Sequence, residues 1–215
     1  MVQVVGAAPG PALDGRVARG EQTRRSVAAS LLALVEEGDL RPTVERVADR
    51  AGVSVRSIFH HFRDREDLLA TVVELHVGRM SGTLGRYPAE GPLPDRIRAL
   101  VAHRSGVYEK AGRIRHAAAL EEPFSETVAS VVGRTREAHR ADLARVFAAE
   151  LEPLPRPRRA EVLACLDAAS SWDLWHQLRW RQRLPLATAR RVVRTLVRGA
   201  LAGATTPVPH PKARS

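Results

Sequence analysis

An all-α fold is predicted from three features of the 215-residue sequence. Apolar residues recur at helical spacing along most of the chain, and no stretch alternates convincingly as a strand would. Ala, Leu, Arg and Glu abound while aromatics make up only 4%, a composition that favours helices. Gly and Pro cut the chain into helix-length pieces. With 44% hydrophobic and 27% charged residues, the composition is that of an ordinary globular protein.

Residues 1–15 are rich in Gly, Pro and Ala and are expected to be disordered, like the Pro-rich tail 203–215. Val27, Leu31, Leu34 and Val35 fall at i, i+4, i+7 and i+8, so a first amphipathic helix runs to Gly38. A second helix is expected over Thr43–Gly52 and a third from Ser54 to about Phe62. A fourth opens at Asp64, with Asp67 three residues on in the manner of a capping box. The Gly- and Pro-rich stretch 82–94 reads as a loop and as the best internal boundary. Further helical segments follow at 95–119 (one or two helices), 125–151, 158–183 and 186–201, separated by proline breaks. The expected plan is about nine helices, three short ones first and then a larger helical body.

The charge sets few limits by itself. A net charge of +10 points toward a polyanionic partner, but it is unevenly spread. Residues 16–76 hold ten Arg against ten acids, whereas 156–198 hold ten Arg against three. Of the 34 basic residues 32 are Arg, a bias that a GC-rich genome explains equally well. Cys165 is the single cysteine, which excludes an intrachain disulfide and any Cys-based zinc site. The start lacks the pattern of a secretory signal, and no apolar run approaches the roughly 20 residues needed to cross a bilayer. A soluble, cytoplasmic protein is expected.

The informative segment is 43–62, TVERVADRAGVSVRSIFHHF. Thr43 is suited to cap the second helix, Gly52 to end it in a left-handed turn, and Ser54 to cap the third. Two short helices joined by so tight a turn form the pattern of a helix-turn-helix. At about 100° per residue, Val55, Ile58, Phe59 and Phe62 share one arc and are expected to be buried. Arg56, Ser57, His60, His61 and Arg63 fall opposite, a face without acids or large apolar groups and rich in hydrogen-bond donors for phosphates or base edges. Eight helical residues span roughly 12 Å, about the width of a DNA major groove. On the pattern alone, a solvated face on a helical core remains the competing reading.

Residues 20–69 resemble the N-terminal domain of TetR-family transcriptional regulators. The resemblance rests on a first helix ending at Gly38, Thr43 opening helix 2, Ala51-Gly52-Val53-Ser54, Ile58-Phe59-His60-His61-Phe62, and Asp64-Arg65-Glu66 opening helix 4. Two positions depart from the family pattern: Phe59 stands where Tyr is common, and Arg65 where Lys is usual. The resemblance implies a helix-turn-helix DNA-binding domain over 16–63 and a helical ligand-binding and dimerisation domain over 64–202. It further implies that Thr43, His61 and Arg65 contact phosphate, and that Val55, Arg56, Ser57 and His60 read base edges. Ser54 joins this DNA-binding set. Val55 has packing as its other role, and for Arg24 and Arg25 a reach to phosphate or the minor groove stands beside free solvation.

The expected partner is double-stranded DNA with a palindromic operator, since one short helix reads only a few base pairs and a two-fold pair reads two half-sites. Helix 186–201 carries Val192, Val193, Leu196, Val197, Ala200 and Leu201, a double stripe wide enough for its own domain and for a second subunit. Helix 158–183 adds Val162, Leu163, Leu166, Leu174 and Leu178, so a homodimer through these two helices is expected. A small-molecule effector is expected in the body, where His103, Tyr108, His116, His139, Trp172, Trp175 and His176 offer polar handles. Repression relieved by that effector is the leading reading. Control by a protein partner, or by no ligand, is the alternative, and an α-helical enzyme the remote one. No phosphate-cradling Gly loop, zinc-binding His-Glu-x-x-His or nucleophile elbow occurs, so no catalytic residue, metal or cofactor is assigned.

Overall fold

The computed structural model of the chain describes the backbone of residues 11–80 and 87–204, with side chains from 18 to 203 within those ranges. Among the described residues the regular structure is helical throughout. Residues up to 80 form one compact unit together with 116–131, and residues 87–115 form another with 132–204.

In the first unit, α1 (Pro11–Glu37) packs against α2 (Val44–Ala51), α3 (Val55–His61) and α4 (Arg65–Met80). Residues 11–15, expected to belong to a disordered tail, are the first residues of α1; residues 1–10 lie outside the described part. The helix stops at Gly38, whose φ of 114° belongs to the left-handed region. Thr43 caps α2 by accepting from the Arg46 N–H, and Gly52 at φ 67° closes it. Ser54 then caps α3, accepting from the Ser57 N–H at 3.1 Å. Val27 and Leu34 of α1, Val47 and Ala48 of α2, and Ile58 and Phe62 around α3 form one buried cluster.

The expected capping box at α4 takes a shifted form. Asp64 accepts from the Asp67 N–H at 2.8 Å, but the Asp67 carboxylate reaches back to the N–H of Arg63. The unit is completed by the end of α5 (Leu93–Glu121), a 3₁₀ turn at Glu122–Phe124 and the start of α6 (Glu126–Val146). Ser125 caps α6 through the Val128 N–H, and Glu66 of α4 accepts from the Ser125 hydroxyl and the Thr127 N–H.

The second unit holds the larger core, including Leu100, Leu143, Phe147, Leu166 and Val197. The segment 95–119 is one helix, α5, which begins two residues early at Leu93. The segment 125–151 divides at Phe147 into α6 and the short α7 (Ala148–Leu151). The helix expected over 158–183 is three pieces instead. α8 (Arg156–Ala169) ends at Ser170, Ser171 caps α9 (Trp172–His176), and a π turn follows over Gln177–Arg181. The paired serines explain the break, because each satisfies local backbone groups that a continuous helix would bond: Ser170 Oγ donates to Leu166 O and Ser171 Oγ accepts from the Leu174 N–H. Pro157 sits in the first turn of α8, where its missing N–H costs nothing.

α10 (Leu186–Ala204) packs on α8. Ala189, Val193, Val197 and Leu201 form its buried stripe, while Leu196 is 43% exposed and Val192 and Ala200 are half-buried. Gly112 on α5 allows a close approach: a Cβ there would lie 2.8 Å from the Trp180 ring and 3.5 Å from that of Trp172.

Candidate nucleic-acid interface

The outer face of α3 is built by what lies beneath it. Ile58 and Phe62, each 3% exposed, fill the space against α1 and α2, and Val55 packs half-buried at the edge of the same cluster. Phe59 does not join them. It is 69% exposed, a correction to the expected four-residue buried arc. It lies about 100° round from Ile58, and a helix of only seven residues over a small core buries a narrower stripe than the arc allows.

Arg56 and His60 are exposed and Ser57 is half-buried. Among the described residues the Arg56 guanidinium has neither a hydrogen-bond nor an ion-pair partner. His60 and His61 meet edge to face, with ring centroids 5.3 Å apart. His61 is half-buried, its ring beside Gly20 of α1. Elsewhere in the unit Glu37 takes both terminal nitrogens of Arg50 at 2.7 Å, and Asp39 pairs with Arg46. Among the described residues the face thus offers an unpaired cation, two imidazoles, a hydroxyl and an exposed phenyl, and α3 itself carries no acid.

Thr43 is engaged at its own helix. Its hydroxyl caps α2, and the Glu45 carboxyl is held below its ordinary value first by its own backbone N–H and then by Thr43. Arg65 is exposed but ion-paired with Glu121, which also pairs with Arg41 at 3.7 Å. Arg41 further donates to Leu120 O at 2.9 Å.

Arg24 belongs to a different structure from the one its charge suggested. Its guanidinium donates to both oxygens of Asp67 (3.1 and 2.7 Å), to Thr71 Oγ1 at 2.9 Å and to the carbonyl of His61, and it lies 4.4 Å from the Phe62 ring centroid. It therefore ties α1 to the end of α3 and to α4. Arg24 and the Arg63 N–H hold the Asp67 carboxyl well below the usual carboxylate range. Arg25, the next residue, is exposed and has no partner among the described residues. The seam was missed in the sequence because Arg24 and Asp67 are 43 residues apart. An acid in the first turn of α4 was the signal available.

The residues read as handles for a small molecule divide between the units. His116 falls in the first, the others in the second. Tyr108 and Trp175 line a small cavity, partly open to solvent, with room for little more than a water molecule. Trp172 meets the Tyr108 ring edge-on at 5.7 Å, and His176 stacks on Trp180 at 5.5 Å. His103 lies against Tyr87 at 5.2 Å. Desolvation pushes the His139 imidazole down to about 4. Trp175 Nε1 donates to Glu109, which Arg179 grips with two further bonds at 2.9 Å. No group of three potential metal ligands occurs among the described residues, and none of their helices is long and apolar enough to cross a membrane.

Residues 28–72 match the family profile of bacterial regulatory proteins, tetR family. A comparison with curated proteins finds no match. Among solved structures, a transcriptional regulator from Rhodococcus sp. Rha1 has a TM-score of 0.65 at 21% identity, covering 86% of this chain and 99% of its own. A tetR-family transcriptional regulator from Streptomyces coelicolor reaches 0.59 at 16% identity, with 85% and 89% covered. A TetR transcription regulator from Haloarcula marismortui ATCC 43049 reaches 0.56 at 19%, with 83% and 97% covered. At these identities the likeness is one of fold. The helix-turn-helix segment thus matches the tetR family of bacterial regulatory proteins by sequence, and the fold is shared with these transcriptional regulators over most of the chain's length.

Proposed function

We propose that this regulator is a homodimeric repressor that lies on a palindromic operator through α3 and is released by a small-molecule effector. Residues 16–63 read DNA, and residues 64–202 dimerise and respond. The observation that carries the reading is the exposed Arg56, unpartnered among the described residues, on the face of a helix that itself carries no acid and whose underside is anchored by Ile58 and Phe62. A guanidinium so presented matches the paired acceptors of guanine in the major groove. Ser57 and His60 read neighbouring base edges, and Val55 reaches a thymine methyl from the edge of the core. Thr43, Ser54, His61 and Arg65 fix the backbone register through phosphate, and for Arg65 this means exchanging Glu121 for phosphate.

Dimerisation is supported by α10, where one stripe is buried within the unit while Val192, Leu196 and Ala200 keep apolar surface in reserve, and by half-buried Leu163 on α8. The pieces of the expected 158–183 helix and α10 would form a four-helix interface. The protein acts in the cytoplasm as a binding protein, without catalysis, metal or cofactor.

Selection of bound duplexes from random DNA tests the reading. Two inverted half-sites about one helical turn apart, or a multiple of it, are expected. Enrichment of a lone, asymmetric site, or of none, would overturn the dimeric operator.

A further inference from the structure

One carboxylate in the first unit answers two guanidiniums. Glu121, at the end of α5, is ion-paired with Arg65 of α4 and faces Nε of Arg41 at 3.7 Å. The two arginines come from elements distant in sequence, the connector between α1 and α2 and the first residue of α4. The Glu121 side chain is 15% exposed, whereas those of Arg41 and Arg65 are 56% and 55% exposed. The carboxylate therefore lies beneath, and guanidinium is what this edge presents to solvent.

Arg41 is held in place without being spent. Its Nη2 donates to Leu120 O at 2.9 Å, and Pro42, the next residue, disfavours helical backbone at Arg41. At 3.7 Å the contact of Nε with Glu121 is Coulombic and too long for a hydrogen bond. Among the described residues its Nη1 has no partner. The acids on either side of Arg65 serve other groups. Asp64 accepts from the Asp67 N–H at 2.8 Å, and Glu66 from the Ser125 hydroxyl at 3.0 Å and the Thr127 N–H at 3.2 Å. Two cations over one shared anion leave the edge net positive, and a guanidinium fork matches phosphate oxygens.

We infer that Arg41 is a phosphate contact of the DNA interface, forming with Arg65 a two-guanidinium site that Glu121 occupies in the free chain and a backbone phosphate occupies on the duplex. Arg41 meets the phosphate through Nη1 while Leu120 O keeps Nη2. This role rests on the DNA-binding reading proposed above. Removing Arg41 costs more than its own contact, because Glu121, no longer shared, then holds Arg65 alone. The loss therefore depends on Glu121.

The test is binding of the full chain to random-sequence duplex DNA over a range of salt concentrations, read by fluorescence anisotropy of the labelled duplex. Random sequence suffices, since a phosphate contact carries no sequence information. Arg41→Gln, which keeps a donor for Leu120 O, is expected to weaken binding about tenfold and to lower the salt slope by about one. In a Glu121→Gln background the same substitution should cost only about threefold, because Arg65 is already released. Arg41→Lys should keep the slope, its ammonium still reaching phosphate. Arg50→Ala takes the same charge from the pair with Glu37 and should cost less than about twofold. An unchanged affinity in folded Arg41→Gln, an equal loss in Arg50→Ala, or the same loss with and without Glu121 would overturn the site. The first of these leaves the DNA-binding reading standing and removes Arg41 from it. Failure of the unmodified chain to bind any duplex would overturn that reading and this site together.

Discussion

The seam between α1 and α4 and the outer face of α3 sit in one unit, each organised by an arginine from a stretch that is neutral overall, and the two arginines do opposite things. Arg24 is enclosed by Asp67, Thr71, the His61 carbonyl and the Phe62 ring, and its side chain is 22% exposed. Arg56 is exposed, and among the described residues its guanidinium has no partner. One guanidinium holds the helix-turn-helix to the helix that follows it, and the other is kept available. A basic residue beside a DNA-binding motif is thus a recognition group only where the fold leaves its charge unanswered.

Removing the seam should give the largest effect. Arg24→Ala leaves the largely buried Asp67 carboxylate without its main partner. A loss of about 2–3 kcal/mol is expected in urea denaturation, the lower end for buried pairs because both side chains keep some solvent contact. An unchanged midpoint would mean that the seam does not hold the unit together.

On the face, Phe59→Tyr adds a hydroxyl to an exposed ring at the position where the family commonly carries Tyr. A phosphate hydrogen bond there should tighten operator binding by about tenfold without altering selectivity. A smaller gain, a few-fold, is expected from Glu121→Gln, which releases Arg65 for the duplex. It should appear equally on specific and random DNA and steepen the salt dependence by about one charge.

The finest comparison is with pH. The depressed Asp67 pKa means that the seam stabilises the protein above the ordinary carboxylate value of about 3.9 and loses that contribution as pH falls below it. The stability gap between the wild type and Asp67→Asn should therefore be full at pH 7 and narrow toward pH 3. Arg56→Ala should show no such gap at any pH.

How much of this was legible follows from range along the chain. Thr43, Gly52 and Ser54 act on backbone groups within a few residues, so the caps and the turn of the helix-turn-helix were readable, and so was the burial of Ile58 and Phe62 by periodicity. Phe59 was misread because periodicity gives an angle and not the depth of the core beneath it. The ion pairs of Arg24 and Arg65 left no sequence signal because their partners, Asp67 and Glu121, lie 43 and 56 residues away. The division of the 158–183 helix hung on two adjacent serines, which mid-helix propensity penalises only weakly.

The central claim is that α3 reads sequence through Arg56. Its most direct measurement is the ratio of affinities for a selected operator and for random duplex, at one salt concentration, in the wild type and in Arg56→Ala. The ratio should fall by about 10- to 100-fold, in line with one lost bidentate base contact, while residual binding and the melting temperature are retained. An unchanged ratio in a folded Arg56→Ala protein would contradict it.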